Sequence, residues 1–229
     1  MKVSISVIVP VYNAEGKVEK LLDSLVNQTF DDFEVIMVDD GSDDCSGDIC
    51  LDYQRKFEKF HYYRQENQGA ATARRYGFEH SNGEFIYFCD SDDIVDSECL
   101  NLLYSQAQTT KADIVIGEYR TLDSRGDILR GEVRNRYNKP VISRDEYPVI
   151  ESENTIVYCN TFLWTRLFRK AIITSQDFIS EKKVAMEDVL FILYVTNRAS
   201  VIAFVDHVVY SYIQHASSLT HSYDSKIQL

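Results

Sequence analysis

The sequence predicts an α/β fold: a doubly wound, mostly parallel sheet flanked by helices, with a smaller antiparallel region in its second half. Three observations carry this. Apolar β-rich runs alternate with helical stripes through the first half, and parallel neighbours need such helical crossovers. Short polar motifs fall just past the carboxyl ends of three predicted strands. A turn-forming segment, Asp123 to Asp127, then joins two β-like runs as an antiparallel connection would.

The elements follow in order. Val3 to Val11 is a β-rich run short enough for a buried strand. Val18, Leu21, Leu22, Leu25 and Val26 then share one helical stripe. Phe33 to Val38 is the next strand, ending at Asp39-Asp40-Gly41-Ser42. A helix carrying Ile49, Tyr53 and Phe57 leads to a short strand around His61 to Arg64. Ala70 to His80 is Ala- and Arg-rich and helical. Phe85 to Cys89 is the fourth strand, ending at Asp90-Ser91-Asp92-Asp93. A helix through Leu100, Leu103, Tyr104 and Ala107 precedes a fifth strand, Asp113 to Tyr119. Residues 130–155 read as loop and weak helix. An aromatic segment, Phe162 to Phe168, precedes a helix opening near Met186-Glu187-Asp188, and Ser200 to Phe204 and His207 to Gln214 read as two further strands.

Composition narrows the function. The 229 residues are 45% hydrophobic and 26% charged, as in a packed globular chain. With 24 basic against 36 acidic residues the net charge is -12, which argues against a nucleic-acid partner but not against a nucleotide pocket. The five cysteines (Cys45, Cys50, Cys89, Cys99, Cys159) form no C-x-x-C and no regular framework, which fits a reduced, cytoplasmic compartment. No signal peptide and no membrane-length run is apparent. The chain stops at Leu229 without an evident closing element, so further C-terminal helices are an expectation.

Tyr12, Asp39 and Asp90 each lie past the carboxyl end of a predicted strand, the edge where open α/β sheets form their ligand crevice. Asp90 and Asp92, one residue apart, can hold a hard divalent cation and leave positions for diphosphate oxygens; a helix-capping acidic turn would look the same. Asp39-Asp40-Gly41-Ser42 is similarly either a structural turn or a reader of a uracil-like imide beside Pro10, Val11 and Tyr12. Asn67 to Arg74 opens a helix of small residues, whose N-terminus favours anions; Arg74 faces the base or balances the acidic cleft.

In order, Pro10-Val11-Tyr12-Asn13, Val38 to Ser42, Asn67-Gln68-Gly69 through Arg74, and Asp90 to Asp93 resemble the signature of the family 2 glycosyltransferases with the GT-A fold. The resemblance covers about the first 120 residues closely, and Trp164 to Arg169 and Met186 to Phe191 more loosely. It implies inverting transfer from a nucleotide-sugar donor, UDP-linked by preference, to the hydroxyl of a glycan or lipid-linked sugar. It implies Mn²⁺ or Mg²⁺ as cofactor. By similarity, Asp39 reads the base, Asp90 and Ser91 lie by ribose and diphosphate, and Asp92 ligates the metal. Asp188 is the base that takes the acceptor proton, with Glu187 beside it. His215 completes the metal shell or binds phosphate, or is, like His221, an ordinary loop histidine. Trp164 floors the acceptor site or packs in the core. Residues 1–120 are then the donor half and 121–229 the acceptor half of one domain, with acceptor determinants within 120–185. Work in bacterial surface polysaccharide synthesis, in the cytoplasm or peripherally at the inner membrane face, is the expected setting. An NAD-dependent oxidoreductase is disfavoured because Pro10 to Gly16 replaces the G-x-G-x-x-G turn. A nucleotidyltransferase would need a basic, Gly-rich triphosphate loop near the first strand, which this sequence does not show, and an inactive sugar-nucleotide-binding partner sits poorly with the retained Asp39, Asp92 and Asp188.

Overall fold

Every residue of β1 (Val3–Val11) except Ser4 is buried, because the strand is hydrogen-bonded in parallel on both sides, to β2 (Phe33–Asp39) and β4 (Gly83–Phe88). That explains its near-continuous apolar run: a central parallel strand is covered on both faces. The computed structural model describes residues 3–133, 141–143, 162–179 and 187–215. The remaining strands are β3 (Phe60–Arg64), β5 (Ile94–Val95), β6 (Ile114–Asp123), β7 (Ile128–Val133), β8 (Val141–Ser143), β9 (Arg166–Arg169) and β10 (Val201–Gln214). Their order is β3-β2-β1-β4-β9-β6-β10-β5, with β7 against β6 and β8 against β10.

The helices divide between the two faces. α1 (Val18–Val26) and α4 (Cys99–Thr110) bury Leu21, Leu22, Leu25, Leu100 and Leu103 with Ile5, Val7 and Val9 of β1. α3 (Ala70–Glu79) and α5 (Glu187–Arg198) bury Ala73, Phe78, Phe191, Ile192 and Val195 with Ile8, Ile36 and Phe88 on the opposite face. Alternate residues of β1 thus feed two cores, which is the period-2 signature of a strand between two helical layers. Gly77 lets α3 approach that closely: a Cβ there would lie 2.5 Å from Ile8 Cγ2. α2 (Ser46–Tyr53), the shortest α-helix among the described residues, packs beside α1.

Several elements differ from expectation. The helix drawn through Phe57 ends at Tyr53; residues 54–56 tighten into one 3₁₀ turn, and Phe57 turns out to pack on Phe60, ring centroids 5.4 Å apart. The two terminal runs form one strand, β10, whose register on β6 shifts between Phe204 and Val208. Asp206 and His207 are exposed there, so the hydrophobic alternation breaks while the strand continues. β9 inserts antiparallel between β4 and β6, so the fifth strand does not neighbour the fourth. The expected turn after β6 is present: the Asp123 carboxylate accepts from the amides of Arg125 and Asp127, with Gly126 at φ +94°. Residue 120 falls inside β6, so the two halves share one sheet. Much of the 130–155 segment, with Cys159, Met186, Ser217 and His221, lies outside the described residues.

Candidate active site

Four carboxyl-terminal strand ends meet at one edge. A cleft of about 200 Å³ opens there, walled by Pro10, Val11 and Tyr12 at the end of β1 and by Asp90, Ser91 and Asp92 after β4. Asn13, Ala14, Lys17, Asp40 and Ala70 complete the lining. The sequence motifs, far apart along the chain, are brought together as the crevice rule requires.

Side chains of small polar residues stitch the walls. The Asn13 amide donates to Ser42 Oγ (3.1 Å) and the Ala14 amide to Ser46 Oγ (2.8 Å), while Asn13 Oδ1 accepts from the Asp43 amide (2.9 Å). Asp39 is fully buried behind the cleft. Its Oδ1 accepts from the Ser42 amide (2.8 Å) and its Oδ2 from the Tyr62 hydroxyl (2.7 Å), with Arg64 at 3.5 Å. Asp40, which the sequence reading left without a task, reaches the other way. Its carboxylate accepts from Gln65 Nε2 and from the amides of Gln68 and Gly69 (2.7–2.9 Å), fixing the loop that opens α3. Gly41 permits this at φ +80°, with Asn67 N only 3.0 Å from where its Cβ would stand.

Arg74 is the centre of the charge network. Its buried guanidinium donates through Nη1 to Asp188 Oδ1 and through Nη2 to Asp90 Oδ1, both 2.8 Å, and Glu187 lies 3.9 Å away. Burial opposes the Arg74 charge, but Asp188, Asp90 and Glu187 more than offset it and hold its proton above the usual range. Glu187 and Asp188 open α5, where carboxylates also complement the helix dipole. Burial raises the Asp188 carboxyl above its ordinary value; Arg74 opposes that, and Asp90 and Glu187 add to it.

Asp92 points toward the cleft. Its Oδ2 lies 3.7 Å from His215 Nε2 and 3.8 Å from Lys17 Nζ. Burial and then Asp90 push its carboxyl up, while Lys17 and His215 pull it back. Among the described residues no three His, Cys, Asp or Glu side chains gather closely enough to hold an ion by themselves. The donor set nevertheless fits a hard divalent cation: two carboxylates whose mutual repulsion it would relieve, an imidazole beside them, and room for ligand oxygens.

Sequence reasoning missed the fastener of this loop. Asp93, fully buried, accepts from the Tyr210 hydroxyl at Oδ2 (2.8 Å) and from the Ile213 amide at Oδ1 (2.7 Å). The Tyr210 hydroxyl also accepts from the Asp90 amide (3.1 Å). One phenol thereby locks the acidic loop to β10 and brings His215 to Asp92. No local pattern could have announced it, since the partners lie 117 and 120 residues apart. Tyr210→Phe leaves Asp93 Oδ2 and the Asp90 amide without this partner. Unpaired buried polar groups cost about 1–3 kcal/mol, so thermal denaturation should show Tm lower by roughly 3–9 °C. Trp164 is 5% exposed, stacked on Tyr210 (4.4 Å, 14°) and Phe162 (4.5 Å, 11°), so it bears on the cleft through the placement of Tyr210.

A cleft at the strand ends of a doubly wound sheet, with paired acidic residues on one wall and a carboxylate–arginine network behind them, defines an α/β fold with its ligand crevice at the carboxyl edge of the sheet. The chain belongs to Glycosyl transferase family 2, whose profile matches residues 6–169. It is similar to the TarS protein of S. aureus solved in complex with UDP-GlcNAc: TM-score 0.80 and 26% identity, covering 96% of this chain and 61% of that one. It is 28% identical to the cholesterol galactosyltransferase of Borreliella burgdorferi, over 96% of this chain and 63% of the relative. It is 40% identical to the poly(ribitol-phosphate) beta-glucosyltransferase of Bacillus spizizenii, over 53% of this chain and 20% of the relative. The chain thus spans less than two thirds of these relatives. The doubly wound sheet is accordingly of the GT-A type. Among the described residues no helix is long and apolar enough to cross a membrane.

Proposed function

We propose that this chain transfers a hexosyl group, with inversion, from a UDP-sugar to a hydroxyl on a bacterial surface glycan or lipid-linked sugar. The observation that carries the reading is the shared guanidinium: Arg74 joins Asp90 on the donor wall to Asp188 at the mouth of α5, both at 2.8 Å. A donor-side carboxylate and a half-buried carboxylate base thus stand on either side of one buried cation. The UDP preference is supported by TarS, solved with UDP-GlcNAc. Relatives named for cholesterol and poly(ribitol-phosphate) support a hydroxyl acceptor on a lipid or polymer.

Pro10, Val11 and Tyr12 flank the uracil ring, and Asp39, fully buried and held by Ser42 and Tyr62, shapes that wall from behind. Asp90 and Ser91 hold the ribose and diphosphate, and residues 121–229 form most of the acceptor side, with Glu187 at its border. Asp188 takes the proton of the acceptor hydroxyl as that oxygen attacks the anomeric carbon, opposite the diphosphate. The bond to the diphosphate oxygen breaks, the nucleoside diphosphate leaves with the electron pair, and the anomeric configuration inverts once. Asp92 with His215 would hold Mn²⁺ or Mg²⁺, which when bound supplies charge neutralisation for the departing diphosphate.

Thermal unfolding with UDP, GDP, dTDP and CMP, each with and without Mn²⁺, tests the donor site. UDP with Mn²⁺ at about a hundred times its Kd should stabilise the chain by about 2.7 kcal/mol, a Tm rise of roughly 5–10 °C. A larger rise with another nucleotide would replace UDP as the donor, and no rise with any of them would remove the donor reading.

A further inference from the structure

The cleft must accept a nucleoside diphosphate, yet three carboxylates line it: Asp40, Asp90 and Asp92. Among the described residues of that lining, Lys17 is the single basic side chain. Its position is built rather than incidental. Lys17 immediately precedes α1, and its amide donates to the Ala14 carbonyl (3.0 Å). The loop before it is pinned at Asn13 and Ala14 by Ser42 and Ser46, and at the Glu15 amide by Asp44 Oδ2 (3.0 Å). Gly16 makes the final turn at φ +75°. From that fixed base the ammonium reaches 3.8 Å from Asp92 Oδ2, the same oxygen that faces His215.

We propose that Lys17 is the resident cation of the donor site: it neutralises Asp92 when the cleft is empty and turns to the diphosphate oxygens when nucleotide binds. The proposal rests on the donor-site reading above. An ammonium and a divalent ion repel at one carboxylate oxygen, so they compete for Asp92. A compact charge on a flexible four-carbon stem can change partners without moving the backbone. Lys17 therefore works against metal binding when no nucleotide is present, and for nucleotide binding when no metal is present.

Those opposite signs make the test. Calorimetric titration of UDP in metal-free buffer should show Lys17→Met about tenfold weaker than wild type, as loss of a charge-assisted contact at a half-exposed site implies. With saturating Mn²⁺ the deficit should shrink to roughly two- to threefold. Mn²⁺ titrated alone, followed by its paramagnetic resonance, should bind Lys17→Met several-fold tighter. Lys17→Arg should restore metal-free UDP binding, and both variants should keep the wild-type Tm, since an exposed ion pair contributes little to stability. Unchanged metal-free UDP affinity in Lys17→Met overturns the proposal. So does a fall in Mn²⁺ affinity alongside UDP affinity, which marks a distorted cleft. A wild type that binds no UDP, with or without Mn²⁺, brings down the donor-site reading itself and this proposal with it.

Discussion

Asp188→Asn is expected to lower kcat by about three orders of magnitude while leaving the affinity for UDP and Mn²⁺ within roughly twofold. The asparagine carbonyl can still accept from Arg74 Nη1, so the 2.8 Å link and the opening of α5 should persist. What disappears is the ability to take a proton. Steady-state transfer measured beside UDP calorimetry separates the two effects, and a variant that retains turnover removes Asp188 as base. Acidity offers an independent check. Burial lifts the Asp188 carboxyl above its ordinary value although Arg74 opposes it. The base works ionised, so kcat/KM should rise with pH through that lifted value. Its acid limb should therefore sit above the usual carboxylate range of about 4.

Arg74→Met should produce the second-largest change, and in two measurements at once. Breaking a fully buried ion pair costs about 3–5 kcal/mol. Asp90 and Asp188 are 34% and 35% exposed, so water screens part of their charge and about 2–3 kcal/mol is expected in urea denaturation. With its opposing cation gone, the Asp188 carboxyl rises further and the acid limb of kcat/KM moves to higher pH. Arg74→Lys keeps the charge but presents a point donor in place of a fork, so it should recover stability better than activity. A limb that stays put in Arg74→Met would mean that the guanidinium holds the fold together without governing the base.

What could be read from the sequence was local. β1, β2 and β4 announce themselves because strands buried on both faces carry continuous apolar runs, and the ends of those strands carry polar motifs in recognisable order. Tyr12, Asp39 and Asp90 stand out at those strand ends, and Arg74 in the helix of small residues that opens after Asn67. What could not be read depends on pairing between distant segments. β9 reveals nothing in its four residues about slipping antiparallel between β4 and β6. Arg74 and Asp188 lie 114 residues apart, and only the stacking of α3 and α5 on one sheet face joins them. The division of labour between Asp39 and Asp40 was equally hidden. Adjacent carboxylates point to opposite sides of the strand end, and only the fold shows which one fastens the α3 loop.

The tyrosine fastener sets a timetable for the molecule. The acidic loop is synthesised well before the strand that secures it, because Tyr210 follows Asp90 by 120 residues. A nascent chain could pair its first four strands and pack three of its helices, yet the loop would still lack its anchor on β10. The contact that secures the acidic loop can therefore form only once β10 has been made. A half-made chain would carry the carboxylates of the acidic loop without the contacts from Tyr210 and Ile213 that hold that loop in place.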